Sequence, residues 1–434
     1  MSIRLSKNVV AGIALAAVAG LTSAPQVSGW DDHRNQVLEW NQIFLETLIA
    51  TNTPNSSSQR LGAIVHTAIF DAYNGIERRY EPIFVHDTAP PGASRRAAVI
   101  AAAHTVLVGL FPSRQAALDD SYAASLAAAS DDDGEGLSQE QGIAWGTQVA
   151  QAVLAWRAAD GFSASYPPFT GGTATGQWRP TPPAFGPMSA QGLAFTAPFV
   201  LASDTQFEVD APRGLTSTTY TDDFNTVKAL GRNTGSTRTA EQTALALFWD
   251  GNASIHWNQA ANQIASARQL SMSASNRLLA VLNVAMAETA MTTWAGKRFY
   301  GSVPTEVTWR PVTAIQLADT DNNPDTAADP SWLPLIVTPS HPEYPAGHPS
   351  QNGAAATVLL RYFDDGQAFT LTTNGQPART YSSIAQARAD GNNARVWGGM
   401  HFPSTVAASD AEGATVAAFI DRNSMQRLDG SRRD

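Results

Sequence analysis

The sequence contains no cysteine among its 434 residues. It can therefore form no disulfide, offer no thiolate to zinc and supply no thiol nucleophile. Charge is also sparse, since only 15% of the residues are charged and the formal net charge is -10. Nucleic-acid-binding proteins usually present a basic surface, so we expect no nucleic-acid partner. The absence of long charge runs and short repeats argues against a disordered tail or a solenoid.

Long hydrophobic runs are scarce as well, and the one that stands out lies at the N-terminus. Two cations precede an apolar stretch at 9–21, and small residues follow it. This layout is typical of a secretory signal peptide, which we predict over 1–29 with cleavage between 24 and 29. The stretch is short for a membrane span. We therefore expect a secreted or periplasmic mature protein, 30–434, with no stable membrane span after signal removal.

Helical periodicity is the strongest pattern in the chain. Apolar residues from Leu61 to Ile76 recur at three- and four-residue steps, and Ser94 is a plausible N-cap for the apolar run that follows it. Strand-like alternation is limited to "QAFTLTT", and 161–205 is rich in Pro and Gly. We predict one all-α domain with a helical bundle core and long ordered loops. Its site-bearing half should span about 240–422, with helices near 239–249, 255–272, 275–296, 349–363, 382–390 and 405–421.

Residues able to bind an oxyanion fall in three segments. The segments are "WAGKRFYGSVPTEVTWRPVTAI" with Lys297 and Arg310, "SHPEYPAGHPSQNG" with His341 and His348, and "ARVWGGMHF" with Arg395 and His401. Arginine and lysine bind the oxygens of a tetrahedral anion, and the N–H groups at a helix N-terminus add to such a cradle. One neutral imidazole could then attack or ligate the central atom, while a second moves a proton.

Taken singly, each segment also has a purely structural explanation. His348 could cap the helix that follows it, and Lys297 with Arg298 could be a solvated pair at a helix C-terminus. A lone Arg-x5-His pattern, such as Arg395 with His401, is weak evidence of a site. The order and content of the three segments together favour the functional interpretation.

That order resembles the vanadium-dependent haloperoxidases and the related acid phosphatases of the type 2 phosphatidic acid phosphatase superfamily. The shared pattern is Lys, then Arg-Pro, then Gly-His, then Arg-x5-His. The stretches "WNQIFLETLIATNTP" and "RLGAIVHTAIFDAYNGI" resemble the first helical pair of bacterial haloperoxidase-like proteins, and "WRPTPPAFGP" resembles their long ordered loop. The resemblance covers nearly the whole mature chain. It implies a core dominated by two four-helix bundles.

The resemblance also implies how vanadate would be held. His401 would be the apical ligand of the metal, and Lys297, Arg310 and Arg395 would balance the equatorial oxygens. The backbone N–H of Gly347 would donate to the same anion. Phosphate, which is close to vanadate in shape and charge, could occupy the same site.

Catalytic roles are implied in the same way. His348 would be the acid–base residue, oriented by Asp250, and Lys297 would also polarise bound peroxide. Trp294 would line the halide side. His341 stands where chloride-oxidising members tend to carry Phe and bromide-oxidising members His, so the loop looks closer to the bromoperoxidase type.

Three positions depart from the family pattern. Lys297 precedes the Arg-Pro pair by thirteen residues instead of seven, which requires an insertion around "GSVPTEV"; otherwise Val303 takes the lysine position. Ala346 replaces a common serine in the cofactor-binding loop, and the lost hydroxyl is worth roughly 1 kcal/mol. Thr405 stands where many relatives have Asp, which leaves His401 without an orienting carboxylate that the sequence reveals.

The resemblance therefore implies a haloperoxidase that oxidises bromide or iodide with hydrogen peroxide to hypohalous acid. The alternative within the same superfamily is a phosphomonoesterase, in which His401 forms a phosphohistidine and His348 protonates the leaving alkoxide. A third interpretation is a degenerate protein that binds an oxyanion without catalysis. The expected partners are halide and hydrogen peroxide, and the sequence leaves open the organic acceptor and assembly into a homo-oligomer.

Overall fold

The computed structural model describes residues 35–130 and 138–430. The predicted signal peptide, 1–29, lies outside the described residues. Those residues form thirteen α-helices and one two-stranded sheet. The prediction of an all-α helical fold is therefore confirmed.

The helices and strands follow one another along the chain in this order: α1 Gln36–Ala50, α2 Asn55–Glu77, α3 Arg95–Leu110, α4 Gln115–Ser130, α5 Gln139–Ala158, α6 Thr218–Leu230, α7 Ala240–Phe248, α8 Ala253–Ala267, α9 Met272–Ser302, α10 Pro311–Gln316, α11 Gly347–Tyr362, β1 Phe369–Leu371, β2 Arg379–Tyr381, α12 Ile384–Trp397 and α13 Pro403–Asn423. The strands β1 and β2 pair antiparallel, with Phe369 opposite Tyr381. The short strand predicted in "QAFTLTT" is thus present.

The N-terminal helices α2, α3 and α5 pack on one another, and α2 also packs along α9. Helix α3 begins at the predicted N-cap, since the Ser94 side chain accepts a hydrogen bond from the N–H of Ala97. Close approach of α5 to α3 depends on Gly146. A Cβ built there would lie 2.2 Å from the carbonyl oxygen of Ala98, a distance that no side chain tolerates.

The C-terminal helices α11 and α13 pack together and against α9, and α12 lies beside α11. Among the described residues, α9 is the single helix that is long and apolar enough to cross a membrane. Helix α3 and the bent helical segment after it would count as a second candidate if they were taken as one span. The most apolar window of α9 is 94% buried inside the protein. Helix α9 is thus the shared wall between the two groups of helices.

Two helix boundaries differ from the prediction in a way that matters for the site. Helix α11 begins at Gly347, two residues earlier than predicted, which puts His348 in its first turn. Pro349 is tolerated there because a residue in the first turn has no intrahelical partner for its N–H. Helix α12 runs on to Trp397, so that Arg395 lies in its last turn. Helices α4, α6 and α10 were not predicted.

Candidate active site

The three sequence segments converge at one buried place. Lys297 comes from α9, Arg310 is the residue before α10, and Arg395 comes from the end of α12. His401 follows α12 in the turn that leads to α13. All four side chains are almost completely buried. Gly399, at φ +76°, permits the turn between α12 and His401, and a Cβ there would lie 2.6 Å from the carbonyl oxygen of Gly231.

Both ring nitrogens of His401 have partners, and these define its tautomer. Nε2 lies 3.1 Å from Nη1 of Arg310, and Nδ1 lies 2.9 Å from Oε1 of Glu343. Since a guanidinium can only donate, Nε2 is the acceptor and Nδ1–H donates to the carboxylate. Burial, reinforced by the charges of Arg310 and Lys297, lowers the pKa of His401 well below its usual value. His401 is therefore a neutral imidazole with its lone pair on Nε2.

Glu343 is the site residue that the sequence did not reveal. Its Oε1 also accepts from the N–H of Phe402 (3.0 Å), and its Oε2 accepts from the hydroxyl of Thr405 (2.9 Å). Burial raises the pKa of Glu343 to about 7, while Arg310, the Phe402 N–H and Lys297 act in the opposite direction. The expectation that His401 lacks an orienting carboxylate is therefore wrong, because the carboxylate comes from the loop before α11. The only signal in the sequence is a glutamate within an otherwise proline-rich, weakly polar loop.

His341 is bound to Arg310 and lies inside the site. Nδ1 of His341 accepts from Nη2 of Arg310 at 2.8 Å, and its carbonyl oxygen accepts from Nε of the same arginine at 2.9 Å. Its ring lies 5.2 Å from the ring of Trp294. Burial, followed by the charges of Lys297 and Arg310, lowers the pKa of His341 well below its usual value. His341 therefore presents a neutral ring beside the residue predicted to line the halide side.

Lys297 is placed with the site cations, but its ammonium group is directed at the loop before α11. Nζ donates to the carbonyl oxygens of Pro342 (2.7 Å), Glu343 (3.3 Å) and Pro345. An ammonium group has three N–H donors, so these contacts use all of them. Val303, the alternative at this position, is an aliphatic residue at the end of α9. Lys297 thus lies with the other buried cations, and its hydrogen bonds go to the loop that carries Glu343.

Asp250 does not contact His348, contrary to the predicted pair. The carboxylate of Asp250, whose side chain is 45% exposed, lies 3.2 Å from Nη1 of Arg395. Nε2 of His348 instead donates to the carbonyl oxygen of Gly251 at 3.1 Å, because the chain turns its backbone toward the ring and its Asp250 side chain toward the arginine. Burial, then the charge of Arg395, lowers the pKa of His348 well below its usual value. His348 is neutral, with its proton on Nε2.

The N-terminus of α11 closes the site from another side. The N–H of Ala346 donates to the hydroxyl of Ser409 at 2.7 Å, so this residue has no backbone donor left for an anion. The N–H of Gly347 is the first of the helix and has no intrahelical partner. A Cβ at Gly347 would meet the Trp294 ring at 3.1 Å, so glycine allows the tryptophan to cover this turn.

These groups fit a tetrahedral oxyanion such as vanadate or phosphate. Nε of Arg395 is buried and has no hydrogen-bond partner among the described residues. A buried unpaired guanidinium N–H is costly, and an anion oxygen would satisfy it. The lone pair on His401 Nε2 and the first-turn N–H groups of α11 supply the complementary ligand and donors. Arg310 and Arg395 place two permanent positive charges at the same point.

Comparisons with known proteins agree with the fold. Residues 277–430 match the family model described as the VCPO second helical-bundle domain. The crystal structure of the first bacterial vanadium-dependent iodoperoxidase has a TM-score of 0.76 and 24% identity, and the match covers 92% of this chain and 98% of that chain. An apo-type bacterial vanadium-dependent chloroperoxidase has a TM-score of 0.66 and 18% identity, and the match covers 85% and 93%. The holo-type structure gives a TM-score of 0.66, 17% identity, and coverage of 85% and 92%. No curated protein matches the sequence.

The fold is that of the bacterial vanadium-dependent haloperoxidases. The segment 277–430, which carries most of the site residues, matches the family model of the VCPO second helical-bundle domain. The superfamily that the sequence resembles is thereby confirmed.

Proposed function

We propose that this protein is a vanadate-dependent haloperoxidase that oxidises bromide or iodide with hydrogen peroxide. The observation that carries the proposal is the state of His401, a neutral imidazole with its Nε2 lone pair among buried cations and a carboxylate on Nδ1. The iodoperoxidase and chloroperoxidases that share the fold are vanadium-dependent by name.

Vanadate would be held by residues that this chain already orients. His401 would ligate the metal through Nε2, while Nε of Arg395 and the N–H of Gly347 would donate to its oxygens. Arg310 would stay beside the anion through its anchors on the carbonyl oxygens of His341 and Met400, each at 2.9 Å. Bound vanadate would supply a Lewis-acidic centre that activates hydrogen peroxide toward attack by halide.

His348 would handle the proton that hydrogen peroxide loses on binding. Because Nε2–H is committed to the carbonyl oxygen of Gly251, Nδ1 carries the lone pair and can accept a proton. Burial and the charge of Arg395 favour the neutral ring, which keeps this base ready at neutral pH. Nδ1 can then return that proton to the oxygen that leaves the anion, so His348 acts first as a general base and then as a general acid.

Halide selectivity would rest on His341. By accepting from Nη2 of Arg310, its ring draws one guanidinium donor away from the anion. A weaker positive field at the site suits halides that are oxidised more easily, which are iodide and bromide. The tilted contact of its ring with Trp294, at 5.2 Å between centroids, gives this side of the site a polarisable wall.

A phosphomonoesterase is the second candidate, and one observation favours it. Glu343 behind His401 would support a histidine nucleophile as well as it supports a metal ligand. The missing carboxylate at Thr405 therefore gives no reason to reject a phosphatase.

One experiment separates the two activities. The apo-protein would be incubated with and without orthovanadate, then assayed for peroxide-dependent bromination and iodination of a phenol dye and for hydrolysis of nitrophenyl phosphate. We expect halogenation that requires vanadate. Vanadate-independent halogenation, or phosphatase activity alone, would refute the proposal.

His401→Ala removes the atom that carries the proposal. We expect a loss of halogenation of at least about 10³-fold, because the remaining donors cannot replace the metal ligand. The matched control is His104→Asn, which changes a histidine whose partner, Asp119, is half-exposed at the surface. Equal activity in the two variants would show that His401 is not the ligand.

A further inference from the structure

We propose that Glu343 is the positioning residue for His401, holding its imidazole in the tautomer that leaves Nε2 without a proton, so that its lone pair can ligate the metal. This inference rests on the proposed function and deepens it. It assigns to a glutamate of the loop before α11 the task that the family pattern gives to an aspartate four residues after the histidine.

The carboxylate is held independently of the histidine. Oε1 accepts from the N–H of Phe402 at 3.0 Å, and Oε2 accepts from the hydroxyl of Thr405 at 2.9 Å. These two donors fix both oxygens, so that the direction from Oε1 to Nδ1 of His401 is set by the protein. An acceptor fixed on Nδ1 determines which nitrogen is free to ligate and how the ring is turned.

The backbone of Glu343 is held as firmly as its side chain. Its N–H donates to the carbonyl oxygen of Thr308 at 2.9 Å, and its own carbonyl oxygen accepts from Lys297 at 3.3 Å. The side chain is almost fully buried. These contacts belong to the main chain, so a change of the side chain leaves the loop anchored. Lys297 therefore stabilises the loop that positions Glu343.

The geometry also offers a way to move the carboxylate. The hydroxyl of Thr405 touches Oε2 of Glu343, so a carboxylate on residue 405 would occupy the neighbouring space once the glutamate side chain is removed. A short side chain from α13 would then replace a long one from the loop. The double variant Glu343→Ala/Thr405→Asp therefore tests position separately from residue identity.

A comparison of two anions separates positioning from simple charge. Removing a negative charge from a cluster of cations should strengthen the binding of any anion by Coulomb attraction. Vanadate needs a bond from Nε2, whereas phosphate can bind through hydrogen bonds alone. Loss of a positioning carboxylate should therefore weaken vanadate binding and leave phosphate binding unchanged or stronger.

The experiment is isothermal titration of the full-length apo-protein with orthovanadate and with orthophosphate at one pH. Glu343→Ala removes the acceptor on Nδ1, and we expect vanadate affinity to fall about 10- to 100-fold. Glu343→Gln keeps an acceptor, although an uncharged and weaker one, and should lose less. Glu343→Ala/Thr405→Asp should recover most of the loss, and the matched control Glu343→Ala/Thr405→Asn should recover none.

Each result decides a different point. If the wild-type protein binds vanadate and Glu343→Ala binds it equally well, the inference is overturned and the proposed function stands. If both anions weaken in parallel with a lower unfolding temperature, Glu343 is only structural and the inference is again overturned. If the wild-type protein binds no vanadate, the proposed function fails and the inference falls with it. If Glu343→Ala does not fold, Glu343→Leu, which fills a similar space without an acceptor, takes its place.

Discussion

Buried arginines lie on both sides of α9, and their hydrogen bonds differ. Arg157, in the N-terminal group of helices, donates from Nε to Asp160 at 3.1 Å and from its other nitrogens to the carbonyl oxygens of Ala197 and Pro198, and its Nη2 lies 2.8 Å from the Asp160 carboxylate as an ion pair. Arg60 shares the same aspartate at 2.7 Å. Arg395, at the site, has a single carboxylate partner that is half-exposed, and its buried Nε has none among the described residues.

The difference lies in the partners of the two guanidinium groups. Arg157 donates to carboxylate and carbonyl oxygens of the protein, which is the pattern of a structural cation. Arg395 keeps a buried Nε–H without a partner among the described residues, which is the pattern expected where an anion binds. Burial alone does not distinguish a structural arginine from an anion-binding one, since Arg157 and Arg395 are both almost fully buried.

Asp160→Asn removes the carboxylate that Arg157 and Arg60 share, and it should have the largest effect on stability. It leaves two buried arginines without their shared carboxylate, so we expect the free energy of unfolding to fall by about 3–5 kcal/mol. Chemical denaturation would measure it. The control is Asp250→Asn, which breaks the half-exposed pair with Arg395 and should cost less than about 1 kcal/mol. Similar losses in the two variants would contradict the distinction.

Glu288, which lies near Arg157, should make the stability of the protein depend on pH. Burial raises the pKa of this α9 residue from 4.5 to about 7, although the N–H groups of Val200 and Phe199 and the charge of Arg157 act against the shift. The native state thus binds the proton more tightly than the unfolded state, so stability is full below about pH 4.5 and falls as pH rises to about 7.

Glu288→Gln should remove that fall, and relative to wild type it should gain up to about 3 kcal/mol between pH 4.5 and pH 8. Unfolding curves across this range would measure it, with Glu46→Gln as the control at an exposed position of α1. Parallel pH profiles for wild type and Glu288→Gln would contradict the shift.

Arg395→Leu tests whether the unpaired Nε–H of Arg395 contributes to oxyanion binding. Because Nε of Arg395 has no partner in the described structure, we expect stability to change little, while oxyanion affinity falls roughly 10- to 100-fold with the loss of one charge-assisted hydrogen bond. Titration calorimetry and thermal unfolding together would measure both. Arg388→Leu is the control on the same helix, since Arg388 is paired with Asp410 through two bonds of 2.7 Å. That variant should lose stability and keep its affinity.

His341→Phe should have the smallest effect. Phenylalanine cannot accept from Nη2 of Arg310, which returns that donor to the site and strengthens its positive field. We expect the ratio of bromide to chloride turnover to fall up to about tenfold, the equivalent of one neutral hydrogen bond. His341→Gln, which keeps an acceptor, should stay close to wild type, and a ratio unchanged in both variants would remove His341 from selectivity.

Much of the fold was predictable because the long helices carry regular apolar stripes and good N-caps. Helix α11 was placed two residues late, because Pro349 looks like a loop residue until it is counted within the first turn. The convergence of Lys297, Arg310, Arg395 and His401 followed from their order in the family pattern. Their approach in space could not be computed from spacing.

The hydrogen-bond partners of His401 and His348 could not be predicted from the sequence. Glu343 reaches His401 across 58 positions of chain from an irregular loop, and no periodicity marks that contact. Whether His348 contacts Asp250 or the carbonyl oxygen of Gly251 depends on the orientation of the turn that contains both residues. Contacts of this kind are decided by tertiary packing, which residue patterns do not encode.

Helix α9, about 46 Å long at 1.5 Å per residue, limits where this chain can be divided. The segment that matches the family model begins at residue 277, inside the second turn of this helix. A fragment that starts there would keep the apolar face of α9 that packs on α2 but would lose α2 itself. We expect such a fragment, although it contains most of the site residues, to expose that face to water and not to fold alone.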